Sequence, residues 1–370
     1  MIKIDPLCNP PSFTVRSSKE YLTEYQDNLQ RLASGSKCKW IGYKYMANNN
    51  IYELLGIKFC SYCGVFITAT TPVVEHYRPK NRIDIRNHVT HPIDILKYSS
   101  RAINNNGYVF YGSDYENLLI ACDACNSGKG RESSYIPDKT KAKHVKKSKL
   151  KYGKHNLFPI CYKTSSKKAK KNQYQINKII DNIDGEKPLL LNPYIDDYYD
   201  YYDFSNMIYY DSSSRNKVIL IKPKLGLSKY KEKKAKVSIN IYGLNRVDLC
   251  IARGKKYDEV NKIIQDIDLS ICQYKSRRND DNLNKIALGV DSYLSTLNKL
   301  TTGNHEISDF FFHKYYKRLH SELLSILPSK FSSTQLEDEI LLELKNFVDH
   351  TLDLNKMLNV VSTYEIRRER

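Results

Sequence analysis

Two cysteine pairs of identical spacing, Cys60-Ser-Tyr-Cys63 and Cys122-Asp-Ala-Cys125, constrain this chain more than any other feature. A Cys-x2-Cys turn presents two thiolates at the bite of one tetrahedral metal, and two such turns complete the shell of a structural zinc. The four side chains are therefore read as a single Zn²⁺ site. The 58 residues between the pairs exceed the spacing of a compact zinc ribbon, so a substructure is expected between the two halves. Cys8, Cys38, Cys161, Cys250 and Cys272 are scattered singly and read as small, partly buried hydrophobes. An odd total of nine cysteines, with no export signal, argues against a disulfide framework.

Composition bounds the rest. A length of 370 residues leaves room for one large domain with a satellite, or for two to three modest domains. Hydrophobic residues at 41% suffice for a buried core, which excludes wholesale disorder. No stretch reaches the roughly 18 consecutive apolar residues of a membrane span. The start, Met1-Ile-Lys-Ile-Asp-Pro, lacks the apolar run of a signal peptide, so a cytoplasmic protein is expected. Lys and Arg number 59 against 41 Asp and Glu, a formal charge of +18. That imbalance suits a polyanionic partner such as nucleic acid; the plainer reading is charge that maintains solubility.

Along the chain, Lys19–Leu32 carries Tyr21, Leu22, Tyr25, Leu29 and Leu32 at helical spacing, and Ile51–Ile57 reads as a second short helix. Residues 139–178 hold fourteen Lys and no Asp or Glu. Such a run reads as a solvated loop, as an arm lying along phosphates, or as both. Val218–Ile221 has the pattern of a buried strand. Beyond it the periodicity is helical over Val237–Gln273, Asn282–Leu300, Ile307–Ile326 and Ser333–Val361. The expected organisation is an N-terminal helical segment (1–50), a central domain with the Lys-rich loop (51–186), and a mixed, then mainly helical region (187–370). Phe310, Phe311, Phe312, Tyr315, Tyr316 and Leu319 spread over more than one helical face, which suits either the interior of a bundle or a docking surface.

The chemistry lies between and beside the cysteines. Val73-Val74-Glu75-His76-Tyr77-Arg78-Pro79-Lys80 reads as a strand that ends by presenting a carboxylate and an imidazole. Glu116-Asn117-Leu-Leu-Ile-Ala-Cys122 reads as a second strand running into a turn and a helix start, with Asn126 and Lys129 sharing one helical face. A zinc tying the two pairs together would draw Glu75 and His76 toward Asn126. A carboxylate, a carboxamide, an imidazole and cationic side chains in one cleft are what phosphodiester hydrolysis requires. The oxygen donors suit Mg²⁺, the imidazole can take a proton from water, and the cations steady developing charge.

The order Cys-x2-Cys, Glu-His-x-Arg-Pro-Lys, Asn-Leu, Cys-x2-Cys-Asn-x2-Lys resembles the zinc-containing ββα-metal HNH endonucleases. Further segments, among them Phe158-Pro159, Leu189–Pro193 and Tyr242-Gly-Leu-Asn-Arg246, resemble the subfamily that includes the nuclease subunit of Septu-type anti-phage systems. The resemblance spans roughly residues 50–255. It implies His76 as general base, Glu75 and Asn126 as ligands of a catalytic Mg²⁺ or Mn²⁺, and Asn117 as the brace that orients the base. Lys129, Arg78 and Lys80 match less fixed positions and are expected on phosphates. Lys146, Lys147, Lys149 and Lys151 are the candidate nucleic-acid contacts of the basic run. The resemblance further implies an α/β (α-rich α+β) fold with a zinc-pinned ββα core, a DNA substrate cut to 5′-phosphate and 3′-hydroxyl ends, and an ABC-type ATPase partner. Glu75 stands where many such proteins have Asp, and 40 residues separate His76 from Asn117, so the hairpin carries an insertion. His88 and His91 lie in it, in surroundings typical of a plain loop. Gly128 and Gly130 leave the length of the last helix open. A zinc-stabilised DNA-binding protein that does not cut, and an RNA-directed toxin nuclease, are the alternatives.

Overall fold

Ser18 starts the first helix: its side chain accepts from the Tyr21 N–H at 3.1 Å, and α1 runs Lys19–Ala33. The protein is seen in a computed structural model, which describes residues 10–55, 59–65, 67, 73–80, 107–128, 133–149, 152–159, 187–203, 208–276, 285, 286, 288 and 289. The buried face of α1 is Tyr21, Glu24, Tyr25 and Asn28, whereas Leu22 is 43% exposed. Polar side chains sit on that face because each meets backbone. Glu24 accepts from Ile41 N–H at 2.6 Å, and Asn28 exchanges two hydrogen bonds of 2.7 Å with Lys39.

The helices α2 (Ile41–Tyr45) and α3 (Ile51–Leu55) flank a π-helical turn, and they lead to a two-stranded antiparallel pair, β1 (Val73–His76) with β2 (Leu118–Ala121). Met46 and Ile51 join Val74, Leu118 and Ile120 in one buried cluster beneath this pair. A single helical turn, α4 (Asp123–Asn126), follows β2 directly.

Strands β3 (Ser133–Pro137), β4 (His144–Lys149), β6 (Ile208–Asp211) and β7 (Lys217–Ile219) form a four-stranded sheet in the order β3-β4-β6-β7. The β4–β6 pairing is parallel and the other two are antiparallel. A smaller pair joins β5 (Tyr202–Asp203) to β8 (Lys222–Pro223). The sheet buries Tyr135, Val145, Tyr209, Val218 and Leu220 against Cys250, with Val247 and Ile251 alongside.

The last described elements are α5 (Lys229–Ile241), capped by Ser228, and the 30-residue α6 (Val247–Ser276). The one continuous helix expected over Val237–Gln273 is thus two, broken by a turn through Gly243. The expected loop at 139–178 contains a strand, β4, because its backbone finds partners on both sides: Lys147 faces Tyr135, and His144 faces Tyr210. The four-stranded sheet draws on residues on either side of 186/187, and the cluster beneath β1 on residues on either side of 50/51. By its contacts the chain divides into two units, Met1–Gly254 and Lys255–Arg370. In the second unit Tyr257, Ile267, Ile271 and Ile286 are buried. The aromatic segment at 310–319, His88 and His91 lie outside the described residues. Helices and strands together make a mixed α/β protein, and no helix among the described residues is long and apolar enough to cross a membrane.

Candidate active site and metal centre

The four cysteines of the two pairs meet. Their sulfurs all lie within 4.8 Å of one another, and Cys63 Sγ is 3.8 Å from Cys122 Sγ. Sulfurs at about 2.3 Å around a tetrahedral zinc stand about 3.8 Å apart, so the donor set and its spacing fit a zinc ion. The first pair is built by a tight turn in which Gly64 N–H donates to the Cys60 carbonyl at 2.8 Å. That turn is stitched to β2, Ser61 N–H donating to the Ile120 carbonyl at 2.8 Å. The second pair straddles the start of α4. Hydrogen bonds from Cys122, Cys125 and Cys60, helped by the charge of Arg246, hold the Cys63 thiol well below its ordinary range.

At the other end of the hairpin β1 delivers Glu75 and His76. Both are buried, and they line a cleft of about 290 Å³ together with Tyr43, Lys80, Asn126 and His155. His76 Nε2 lies 2.8 Å from the Gly112 carbonyl. A carbonyl only accepts, so Nε2 carries the proton and Nδ1 is the basic nitrogen. Burial, reinforced by the nearby charges of Lys80 and Lys154, holds the imidazole well below its ordinary pKa and therefore neutral. Burial also pushes Lys80 down to about 7. Its ammonium lies 2.9 Å from the centre of the Tyr43 ring, which itself packs against His76 at 4.7 Å between centroids.

Asn117 holds the turn after β1 in place. Its carboxamide accepts from Arg78 N–H at 2.6 Å and donates to the carbonyls of Arg78 and Tyr111, each at 2.9 Å. Tyr111 is next to Gly112, so the same side chain fixes the carbonyl that orients His76. Arg78 turns inward: it is buried, with its guanidinium 5.3–5.5 Å from the ring centres of Tyr77, Tyr111 and Phe158. It is not among the cleft-lining residues. The resemblance expects Arg78 on a phosphate; here its guanidinium packs in an aromatic box, whereas Lys80 lines the cleft. Lys146, Lys147 and Lys149 are exposed along β4. Lys129 and Lys151 lie outside the described residues.

One side chain at the heart of the site was missed in the sequence. Lys154, with no exposed surface, places its ammonium 2.6 Å from Glu75 Oε1 and 2.6 Å from the His76 carbonyl. Burial pushes the Glu75 carboxyl above the ordinary range and the Lys154 ammonium below its own, each opposed by the charge of the other. The segment bearing Lys154 crosses α4 with backbone against backbone. Lys154 N–H donates to the Cys125 carbonyl, and His155 N–H to that of Asn126. The crossing needs glycine on both sides. Gly128 and Gly153 have φ of +60° and +99°; a Cβ on Gly128 would lie 2.0 Å from the Tyr152 carbonyl oxygen, and one on Gly153 would lie 2.4 Å from Gly128 N. Gly128 thereby ends α4 after one turn.

The fold and site define a mixed α/β protein in which a cluster of four cysteines that could hold a zinc ion adjoins a cleft lined by carboxylate, imidazole and carboxamide. No family model matches the chain, and no solved structure matches it. Among curated proteins it is similar to the Septu protein PtuB of Bacillus mycoides (strain KBAB4), at 26% identity over 252 residues. The match covers 67% of this chain and 64% of the relative, so the chain spans just under two thirds of the relative's length. That similarity supports the resemblance to Septu-type systems.

Proposed function

We propose that this protein is a metal-dependent HNH endonuclease that hydrolyses DNA phosphodiester bonds and serves as the effector nuclease of an ATPase-coupled anti-phage defence system. The observation that carries the proposal is the shared cleft of Glu75, His76 and Asn126 beside the four-cysteine centre. A DNA-binding module that does not cut has no use for a buried, neutral histidine with a fixed tautomer in a polar cleft.

In the proposed reaction, water attacks the phosphorus in line with the departing 3′-oxygen. His76 Nδ1 takes the water proton as the P–O bond forms, the P–O3′ bond breaks, and the departing 3′-oxygen takes a proton from solvent water, leaving a 5′-phosphate and a 3′-hydroxyl. Lys80 stands at the cleft to offset charge on the phosphoryl oxygens. Glu75 and Asn126 would hold a divalent cation such as Mg²⁺ or Mn²⁺, which when bound supplies charge stabilisation for the phosphate and the leaving oxygen. Four cysteines in tetrahedral spacing would hold Zn²⁺ as a structural ion. The exposed lysines of β4 would follow the DNA backbone without reading sequence. An ABC-type ATPase is the proposed partner.

The test is incubation with supercoiled plasmid, single-stranded DNA and total RNA, each with Mg²⁺ and with EDTA. Metal-dependent plasmid nicking is expected. Binding without cleavage would favour the non-cutting alternative, and cleavage confined to RNA the toxin.

A further inference from the structure

The turn Tyr242-Gly243-Leu244-Asn245-Arg246 stands out in the sequence, yet none of it lines the cleft. It lies instead against the cysteines. Tyr242 stacks on Tyr62 of the first pair, ring centres 4.0 Å apart, and its carbonyl oxygen lies 3.2 Å from Cys125 Sγ. Arg246, 2% exposed, reaches one sulfur from each pair: Nη2 is 3.3 Å from Cys63 Sγ and Nη1 is 3.6 Å from Cys125 Sγ. The chain separation from Cys125 is 121 residues. Arg253, also buried, braces the turn by donating to the Leu244 carbonyl at 2.6 Å.

Four thiolates around one zinc carry a net double negative charge, which is costly to bury without a counter-ion. A planar guanidinium has two edges of N–H donors, so it can serve both sulfurs at once; a lysine ammonium is a point charge that cannot match that span. We infer that Arg246 bridges the two cysteine pairs and balances the charge of the zinc–thiolate centre, so that metal retention depends on the junction between α5 and α6. This rests on the zinc reading given above. Groups hydrogen-bonded to metal ligands orient them and tune their affinity, and removing one typically weakens metal binding about 10–100-fold.

The experiment compares full-length wild-type protein with Arg246→Met and Arg246→Lys. Zinc content is measured after purification without chelators, and zinc affinity by competition with a chromogenic chelator. Arg246→Met keeps the packing volume and loses the charge, so it should bind Zn²⁺ roughly 10–100-fold more weakly. Arg246→Lys restores the charge without the second hydrogen bond and should fall between. Wild-type affinity in Arg246→Met, or a lysine variant as weak as the methionine one, overturns the charge balance. Wild-type affinity in Arg246→Lys overturns the bridge. Should Arg246→Met fail to fold, Arg246→Lys decides alone: weaker zinc binding sustains the assignment, and wild-type binding rejects it. Wild-type protein without zinc would instead remove the zinc reading itself, a separate result visible before any variant is made.

Discussion

Around the cysteine cluster and the cleft, Glu75, His76, Arg78, Asn117, Lys154 and Arg246 are buried polar or charged side chains, set beside the apolar cluster of Met46, Ile51, Val74, Leu118 and Ile120. In the four-stranded sheet of the same unit, the buried cluster is Tyr135, Val145, Tyr209, Val218, Leu220 and Cys250. The two regions hold together for different reasons. The sheet is stabilised by removing apolar surface from water, which needs no particular partner for any one atom. The cleft region adds to its apolar cluster a set of buried polar groups, and each of these is tolerated only while its partner stays in place. It should therefore be the part of the molecule most sensitive to single atoms and to metal.

The largest expected effect is at the zinc. Cys63→Ala should leave little folded, soluble protein, because structural zinc contributes on the order of 10 kcal/mol to small zinc-bound folds. Expression yield and circular dichroism with elemental analysis check this; a folded, zinc-free wild-type protein would erase the contrast between the regions. Next, His76→Ala should lower cleavage about 10²–10⁴-fold while zinc content and DNA affinity stay as in the wild type. Single-turnover rates beside a binding isotherm separate the two, and wild-type cutting would place the chemistry elsewhere.

The comparison sharpens with a matched pair. Lys154→Met strands Glu75 without its partner and should cost about 3–5 kcal/mol in denaturant unfolding, with part of the loss recovered by adding Glu75→Gln. Leu220→Ala in the sheet should cost about 2–5 kcal/mol and show no such rescue. Equal behaviour of the two would mean that the polar region packs like an ordinary core. The smallest effect belongs to the surface. Replacing Lys146, Lys147 and Lys149 together should weaken DNA binding across all sequences and flatten its salt dependence, by about 0.9 in log–log slope for each phosphate no longer neutralised. An unchanged slope would remove β4 from the interface.

What the sequence disclosed was local. Cys60, Cys63, Cys122 and Cys125 declare their geometry by spacing alone, and Val73–Val74 and Leu118–Ala121 carry enough β-branched and apolar character to mark the strands that join the two pairs. What stayed hidden depended on distant partners. Lys154 is one of many lysines in a basic run, and nothing nearby says that Glu75, 79 positions earlier, is its counter-ion. Strand β4, His-Val-Lys-Lys-Ser-Lys, has no hydrophobic period and forms because β3 and β6 supply hydrogen bonds. The break between α5 and α6 is masked by apolar residues that continue at helical spacing through Tyr242 and Leu244. On α1, Glu24 and Asn28 displaced Leu22 from the buried face because backbone donors and acceptors awaited them there.

The crossing of Gly128 and Gly153 has a consequence for heredity. A screen for random inactivating mutations would be expected to strike these two codons as often as those for Glu75 or His76, since any Cβ at either position would run into the opposing main chain. Survivors at one glycine would not be rescued by changes at the surface; they would need the two backbones to separate, which would carry Lys154 away from the carboxylate it holds. A lineage that keeps the cleft is therefore bound to keep both glycines, and one that loses either has little left to gain by keeping His76.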